Sequence, residues 1–173
     1  MNSTKTINYF RALGKYNNIV VSGPQRSGTR YVSKAIAYDT GKVFVDERRI
    51  LYHEFRLLLQ LLKGNNQVIQ CPGVCHRLHQ ITFKDTLIVL VKRPIKDIIA
   101  SEERIGWDQE SRDLEFKKYN KKSGIISQIK YDFWDNFQKE KLGKRCIEVH
   151  YNKVIKHPLF VQNRTNFVWN QTK

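Results

Sequence analysis

Long apolar runs are missing from this 173-residue chain. No stretch reaches the roughly 18 consecutive apolar residues that a membrane-crossing helix needs, so no membrane partner is expected. The opening Met1-Asn2-Ser3-Thr4-Lys5 lacks the apolar segment of a secretory signal, which makes the cytoplasm the expected location. Cysteine is scarce and odd in number, with Cys71, Cys75 and Cys146 alone, which excludes a disulfide framework. In a cytoplasmic protein the sequons at Asn163 and Asn170 carry no glycan. Carboxylates are few as well: 16 Asp+Glu stand against 31 Lys+Arg, a formal charge of +15.

What is present describes a folded globule. Hydrophobic residues make up 40% and aromatic residues 12%, enough for a core, and no repeat, low-complexity tract or linker divides the chain. The expectation is one domain over 1–173, with a basic C-terminal part, 111–173, packed on the same core. That part holds 14 basic and 6 acidic residues. Such a surface attracts polyanions, whether nucleic acid, an acidic glycan or a phosphorylated cofactor.

Strand and helix patterns alternate, which predicts a three-layer α/β fold with a parallel sheet of about five strands flanked by helices. Strands are expected at 18–22, 42–45, 67–70, 86–91 and 146–151. Thr86-Leu87-Ile88-Val89-Leu90-Val91 is apolar throughout, as a central parallel strand should be. Helices are expected at 29–38, 51–63 and 95–104. A further helix follows Ser123, with Ile126, Ile129, Phe133 and Phe137 forming one core-facing stripe.

The first strand runs into Gly23-Pro24-Gln25-Arg26-Ser27-Gly28-Thr29-Arg30. A strand, a glycine-bracketed turn and a helix bring backbone N–H groups and a helix N-terminus onto one point, the geometry of a phosphate site. Ser27 and Thr29 add hydroxyls, and Arg26 adds a forked cation. The spacing Gly23-x4-Gly28 is that of a P-loop. However, the lysine and Ser/Thr that should follow are replaced by Thr29 and Arg30.

Pro24-Gln25-Arg26-Ser27-Gly28-Thr29 resembles the 5′-phosphosulfate loop of sulfotransferases, whose pattern is Lys/Arg-Ser-Gly-Thr. Arg93-Pro94-Ile95-Lys96-Asp97-Ile98-Ile99-Ala100-Ser101 resembles that family's second motif, although its proline normally falls one position later. The resemblance covers the N-terminal two-thirds and implies a P-loop-like fold. It also implies 3′-phosphoadenosine-5′-phosphosulfate (PAPS) as cofactor, with Arg93 and Ser101 on its 3′-phosphate. Val149-His150-Tyr151 is similar to the family's late strand and Tyr-bearing loop. The family's C-terminal Gly-rich cofactor segment is missing, with Arg164 in its place.

Transfer of a sulfuryl group to a hydroxyl needs a base. The resemblance to tyrosylprotein-type members puts Glu47 in that role, within Asp46-Glu47-Arg48-Arg49. Cytosolic members use a histidine after the third strand, where this chain has His76 and His79, and Cys71 at the aligned position. Cys71-x3-Cys75-His76-x2-His79 does not have the Cys-x2-Cys spacing of a zinc knuckle.

The rival reading is a P-loop kinase of the compact kind that bacteriophages carry. It would use ATP with Mg²⁺ and phosphorylate a hydroxyl on a nucleotide or a modified DNA base such as 5-hydroxymethyluracil. Asp46 would then hold the metal, and Arg93, Arg104 and Arg112 would clamp phosphates. A third reading is a non-catalytic nucleic-acid binder with Phe116, Tyr119, Tyr131 and Trp134 as stacking platforms.

Overall fold

A computed structural model describes residues 9–50, 54–106 and 123–161. Five strands form one sheet: β1 (Asn18–Ser22), β2 (Val43–Val45), β3 (Gln67–Gln70), β4 (Thr86–Lys92) and β5 (Cys146–His150). Their order is β2-β3-β1-β4-β5 and every neighbouring pair is parallel. The predicted fold class is therefore the observed one.

β1 is central, with Val20 level with Ile69 on one side and Ile88 on the other. Side chains alternate across the sheet. Val20, Ile69, Ile88 and Leu90 point into one core, covered by α2 (Phe55–Leu61), the 3₁₀ run Pro72–Gln80, α3 (Ile95–Glu103) and α4 (Ser123–Phe133). Ile19, Val21, Val68 and Val89 point into the other, covered by α1 (Thr29–Thr40), α6 (Tyr151–Val154) and α7 (Pro158–Val161). The short α5 (Lys139–Leu142) lies between α4 and β5 and adds Leu142 to the first core.

Several boundaries differ from the sequence reading, most of them by one or two residues. Helix α1 continues past Tyr38 to Thr40 and stops on Gly41, whose φ of 68° is the left-handed C-terminal turn. Asp39 belongs to the helix because its carboxylate is buried against His157 Nε2 at 3.1 Å and accepts the Phe10 N–H at 2.9 Å. The expected helix 51–63 is described only from Phe55, after a 3₁₀ turn over Glu47–Ile50. The last strand stops at His150, and Tyr151 opens α6.

The stripe on α4 is corrected in its C-terminal half. Ile126 is buried, but the helix widens into a π turn at Trp134–Gln138. One extra residue per turn rotates the inward face. Trp134 and Gln138 become fully buried, while Phe137 is turned out and stacks on Phe133. At its other end α4 lies tight on α3: a Cβ on Gly124 would stand 2.7 Å from Ile99 Cδ1.

Candidate active site

The turn 23–28 folds over the C-terminal edge of the sheet between β1 and α1, where open α/β sheets bind ligands. A Cβ on Gly23 (φ 153°) would lie 2.8 Å from both Ser27 Oγ and the Val91 carbonyl oxygen. Gly28 (φ 96°) is walled by the Tyr151 ring, 2.2 Å from where its Cβ would stand. Between them Arg26 takes a left-handed φ of 63°, which a non-glycine residue adopts only under constraint. The Ser27 N–H closes the turn on the Pro24 carbonyl at 3.1 Å. The Ser27 hydroxyl is fully buried and has no hydrogen-bond partner among the described residues.

The two sequence motifs meet here. Arg26 donates from Nε and Nη2 to the buried Ser101 hydroxyl at 3.2 and 3.1 Å. Arg93 donates from Nη1 to the Arg26 carbonyl at 2.9 Å and lies over the Tyr151 ring, 4.6 Å from its centroid. The Arg93 Nε is buried and has no partner among the described residues. The charge on Arg26 is disfavoured first by burial and then by the Arg104 and Arg93 guanidiniums. The Glu102 carboxylate on α3 acts the other way and offsets part of this repulsion.

On the β2 side stand the acids. Arg30 pairs with Asp46, and Arg48 Nε adds a second contact at 3.3 Å. Burial would raise the Asp46 carboxyl, but the Arg48 backbone N–H and the Arg30 guanidinium outweigh it and hold it below the usual range. Glu47 goes the opposite way: burial, then the neighbouring Asp46 charge, push its pKa up to about 7. Gln70 hydrogen-bonds Glu47 and also donates from Nε2 to Thr29 Oγ1 at 3.2 Å. The end of β3 therefore links the turn 23–28 to the acid.

The residues present fit phosphate or sulfate oxygens better than a dedicated metal cage. Arg30 stands where a P-loop carries its metal-binding hydroxyl, and it is engaged with Asp46. Among the described residues no group of three or more His, Cys, Asp or Glu side chains is arranged to hold a metal ion.

Other candidates sit elsewhere or in structural roles. His79 contacts Gln138 Oε1 through both its backbone N–H and Nδ1, each at 3.2 Å, and meets the Phe133 and Phe137 rings edge-on. Its place is in the packing between the 3₁₀ run and the π turn. His76 lies in the middle of the same run, half-buried. Cys71 is fully buried; its thiol is pushed well up by burial, then by Cys75 and Glu47, so it stays protonated. Tyr131 and Trp134 are core residues, which removes them as stacking platforms. Phe116, Tyr119, Arg112 and Arg164 lie outside the described residues.

Sequence reasoning missed Gln70 and Lys130. Gln70 had a usable signal, a polar residue ending a buried strand at the ligand-binding edge. Lys130, whose Nζ donates to Gln25 Oε1 at 2.8 Å, had none, because the partners are 105 residues apart.

No protein-family model matches the sequence, and no curated protein matches it in sequence. Solved structures do match the fold. A shikimate kinase from Acinetobacter baumannii, in complex with shikimate, superposes with a TM-score of 0.57 at 16% identity, covering 94% of this chain and 99% of that one. A shikimate kinase from Bacteroides thetaiotaomicron gives 0.51 at 12% identity, covering 86% and 98%. At such identities the likeness is one of fold, and the fold it supports is that of a P-loop α/β protein.

Proposed function

We propose that the chain is a nucleotide-dependent P-loop transferase of the kinase type, moving the terminal phosphoryl group of ATP to a hydroxyl acceptor. One observation carries this reading. Arg26 and Arg93 converge on a turn whose buried Ser27 hydroxyl has no partner among the described residues, while a carboxyl with a pKa of about 7 stands across the sheet edge. A group transferase needs both parts: cations and N–H groups on the migrating anion, and a base tuned near neutral pH. The turn 23–30, with Arg93 and Ser101, holds the nucleotide phosphates. Glu47 takes the proton from the acceptor hydroxyl, with Gln70 fixing its orientation. The fold neighbours are kinases, one solved with shikimate, which supports phosphoryl transfer to a hydroxyl as the reaction class. Mg²⁺ entering with ATP brings its own waters and neutralises phosphate charge. The formal charge of +15 supports an anionic acceptor, a nucleotide or a nucleic acid among them.

A second reading, sulfuryl transfer from PAPS, is favoured by the Arg26–Ser101 hydrogen bonds and by Arg30 in the metal-binding position. Thermal shift with ATP and Mg²⁺ against the desulfated cofactor PAP separates the two. Stabilisation that needs Mg²⁺ and ATP, with ³²P passing from γ-labelled ATP to an acceptor, supports the kinase. Stabilisation by PAP without metal replaces it with the sulfotransferase.

A further inference from the structure

All neighbouring strands are parallel, so their starts lie along one edge of the sheet and their ends along the other. The two edges carry different cations. Exposed lysines come before the strands: Lys15 before β1, Lys63 before β3, Lys84 before β4 and Lys144 before β5. Arginines come after them: Arg26 and Arg30 after β1, Arg48, Arg49 and Arg56 after β2, Arg77 after β3 and Arg93 after β4. Arg11 and Arg145 stand on the lysine edge, and the Arg145 guanidinium is spent on the Ile81 and Phe83 carbonyls at 3.0 and 3.2 Å.

Three of these arginines lie outside the glycine-bracketed turn and beside the acid. Arg49 is exposed on the 3₁₀ turn that begins at Glu47. The Ile50 carbonyl of that turn accepts the Glu54 N–H at 3.1 Å, which carries the chain directly into α2 and its exposed Arg56. The Arg77 guanidinium lies over the Phe55 ring, 4.4 Å from its centroid, so the run 72–80 adds its cation to the same stretch. Between residues 46 and 80 the carboxylates are Asp46, Glu47 and Glu54, and Asp46 is engaged by Arg30 and Arg48. Guanidinium groups grip phosphate oxygens in pairs and stack on planar rings, which suits a phosphodiester chain that carries bases. Glu47 is half-buried, and a flexible single strand can bring a hydroxyl to it without the unstacking and unpairing that a duplex requires.

We propose that this arginine edge is a docking surface for single-stranded nucleic acid, with Arg49, Arg56 and Arg77 on its phosphates. That the docked strand is also the acceptor rests on the transferase reading of Glu47; the docking itself does not. The test is fluorescence anisotropy of the full chain with a labelled single-stranded oligonucleotide of about 20 nucleotides, longer than one such binding site. Wild type is compared with R49Q/R56Q/R77Q and with K63Q/K84Q/K144Q, which remove the same number of charges from opposite edges. The arginine variant should bind about tenfold or more weakly at about 0.1 M salt. Its slope of log K against log salt should fall by about 2, the loss of three phosphate contacts to a single strand. The lysine variant should stay within about threefold of wild type. Equal losses in the two variants, or a larger loss in the lysine variant, overturn the surface. Tighter wild-type binding to duplex DNA or to heparin than to the single strand overturns its occupant. Strand binding by a chain that takes neither ATP nor PAP leaves the surface standing and removes the acceptor role. Should R49Q/R56Q/R77Q not fold, the charge reversals Arg49→Glu and Lys144→Glu decide: a greater loss in Arg49→Glu supports the surface, and equal losses overturn it.

Discussion

Glu47 is the residue on which chemistry and stability pull in opposite directions. Its carboxyl titrates near 7 in the fold and near 4.3 in an unfolded chain, so the native state keeps a proton that the unfolded state has lost between those values. Native stability therefore falls as pH rises through that window, by up to about 4 kcal/mol, and the loss is complete above pH 7. Glu47→Gln should melt higher than wild type at pH 8 and identically near pH 4, as measured by calorimetry across pH. The same variant should bind nucleotide normally and lose at least a hundredfold in turnover, a typical share for general-base catalysis. Wild-type turnover in Glu47→Gln would remove Glu47 from the base role. Wild-type activity should rise with pH through about 7, as the base loses its proton. Arg26→Ala should abolish nucleotide-induced stabilisation in a thermal-shift measurement, because it removes the guanidinium that joins the turn to the buried Ser101 hydroxyl.

At the scale of elements, the turn and α6 are a matched pair. Gly28 combines a left-handed φ with the Tyr151 ring against its Cα, so Gly28→Ala meets both backbone strain and a ring that must move. A loss of about 2–4 kcal/mol is expected by denaturant unfolding, at the upper end of single-site effects. Adding Tyr151→Ala should recover part of it by removing the clash. Full additivity of the two changes would show that the ring does not press on the turn. The π turn after α4 is a second case where an element acts beyond its own span. It directs Trp134 Nε1 onto Glu148 at 2.9 Å, fastening the end of α4 to the edge strand β5.

For the whole molecule, charge and core make separate contributions. A surface with a formal +15 should hold single-stranded DNA or another polyanion with an affinity that drops steeply between about 0.05 and 0.3 M salt. If this attraction only gathers an anionic acceptor, Arg26→Ala should leave it unchanged while abolishing nucleotide binding. Loss of both together in a filter-binding assay would mean that one site serves both. The core is indifferent to these charges. Ile88→Ala, at the centre of the sheet and fully buried, should cost about 2–5 kcal/mol whatever the salt.

The sheet and the glycine-bracketed turn 23–28 were legible in the residues alone. β1, β3 and β4 were legible because strands buried on both faces are written as β-branched and apolar runs. The turn was legible because glycine, hydroxyl and guanidinium groups fall within eight consecutive residues. Phe137, His79, Gln70 and Lys130 were decided only by tertiary structure. A π turn rotated Phe137 out of the core, and packing against Gln138 took His79 away from the site. Sheet order brought Gln70 beside Thr29 and Glu47, and α4 carried Lys130 across 105 residues to Gln25. Local patterns encode what neighbours in sequence do together, whereas contacts across the sheet exist only once strand order and helix packing have been chosen.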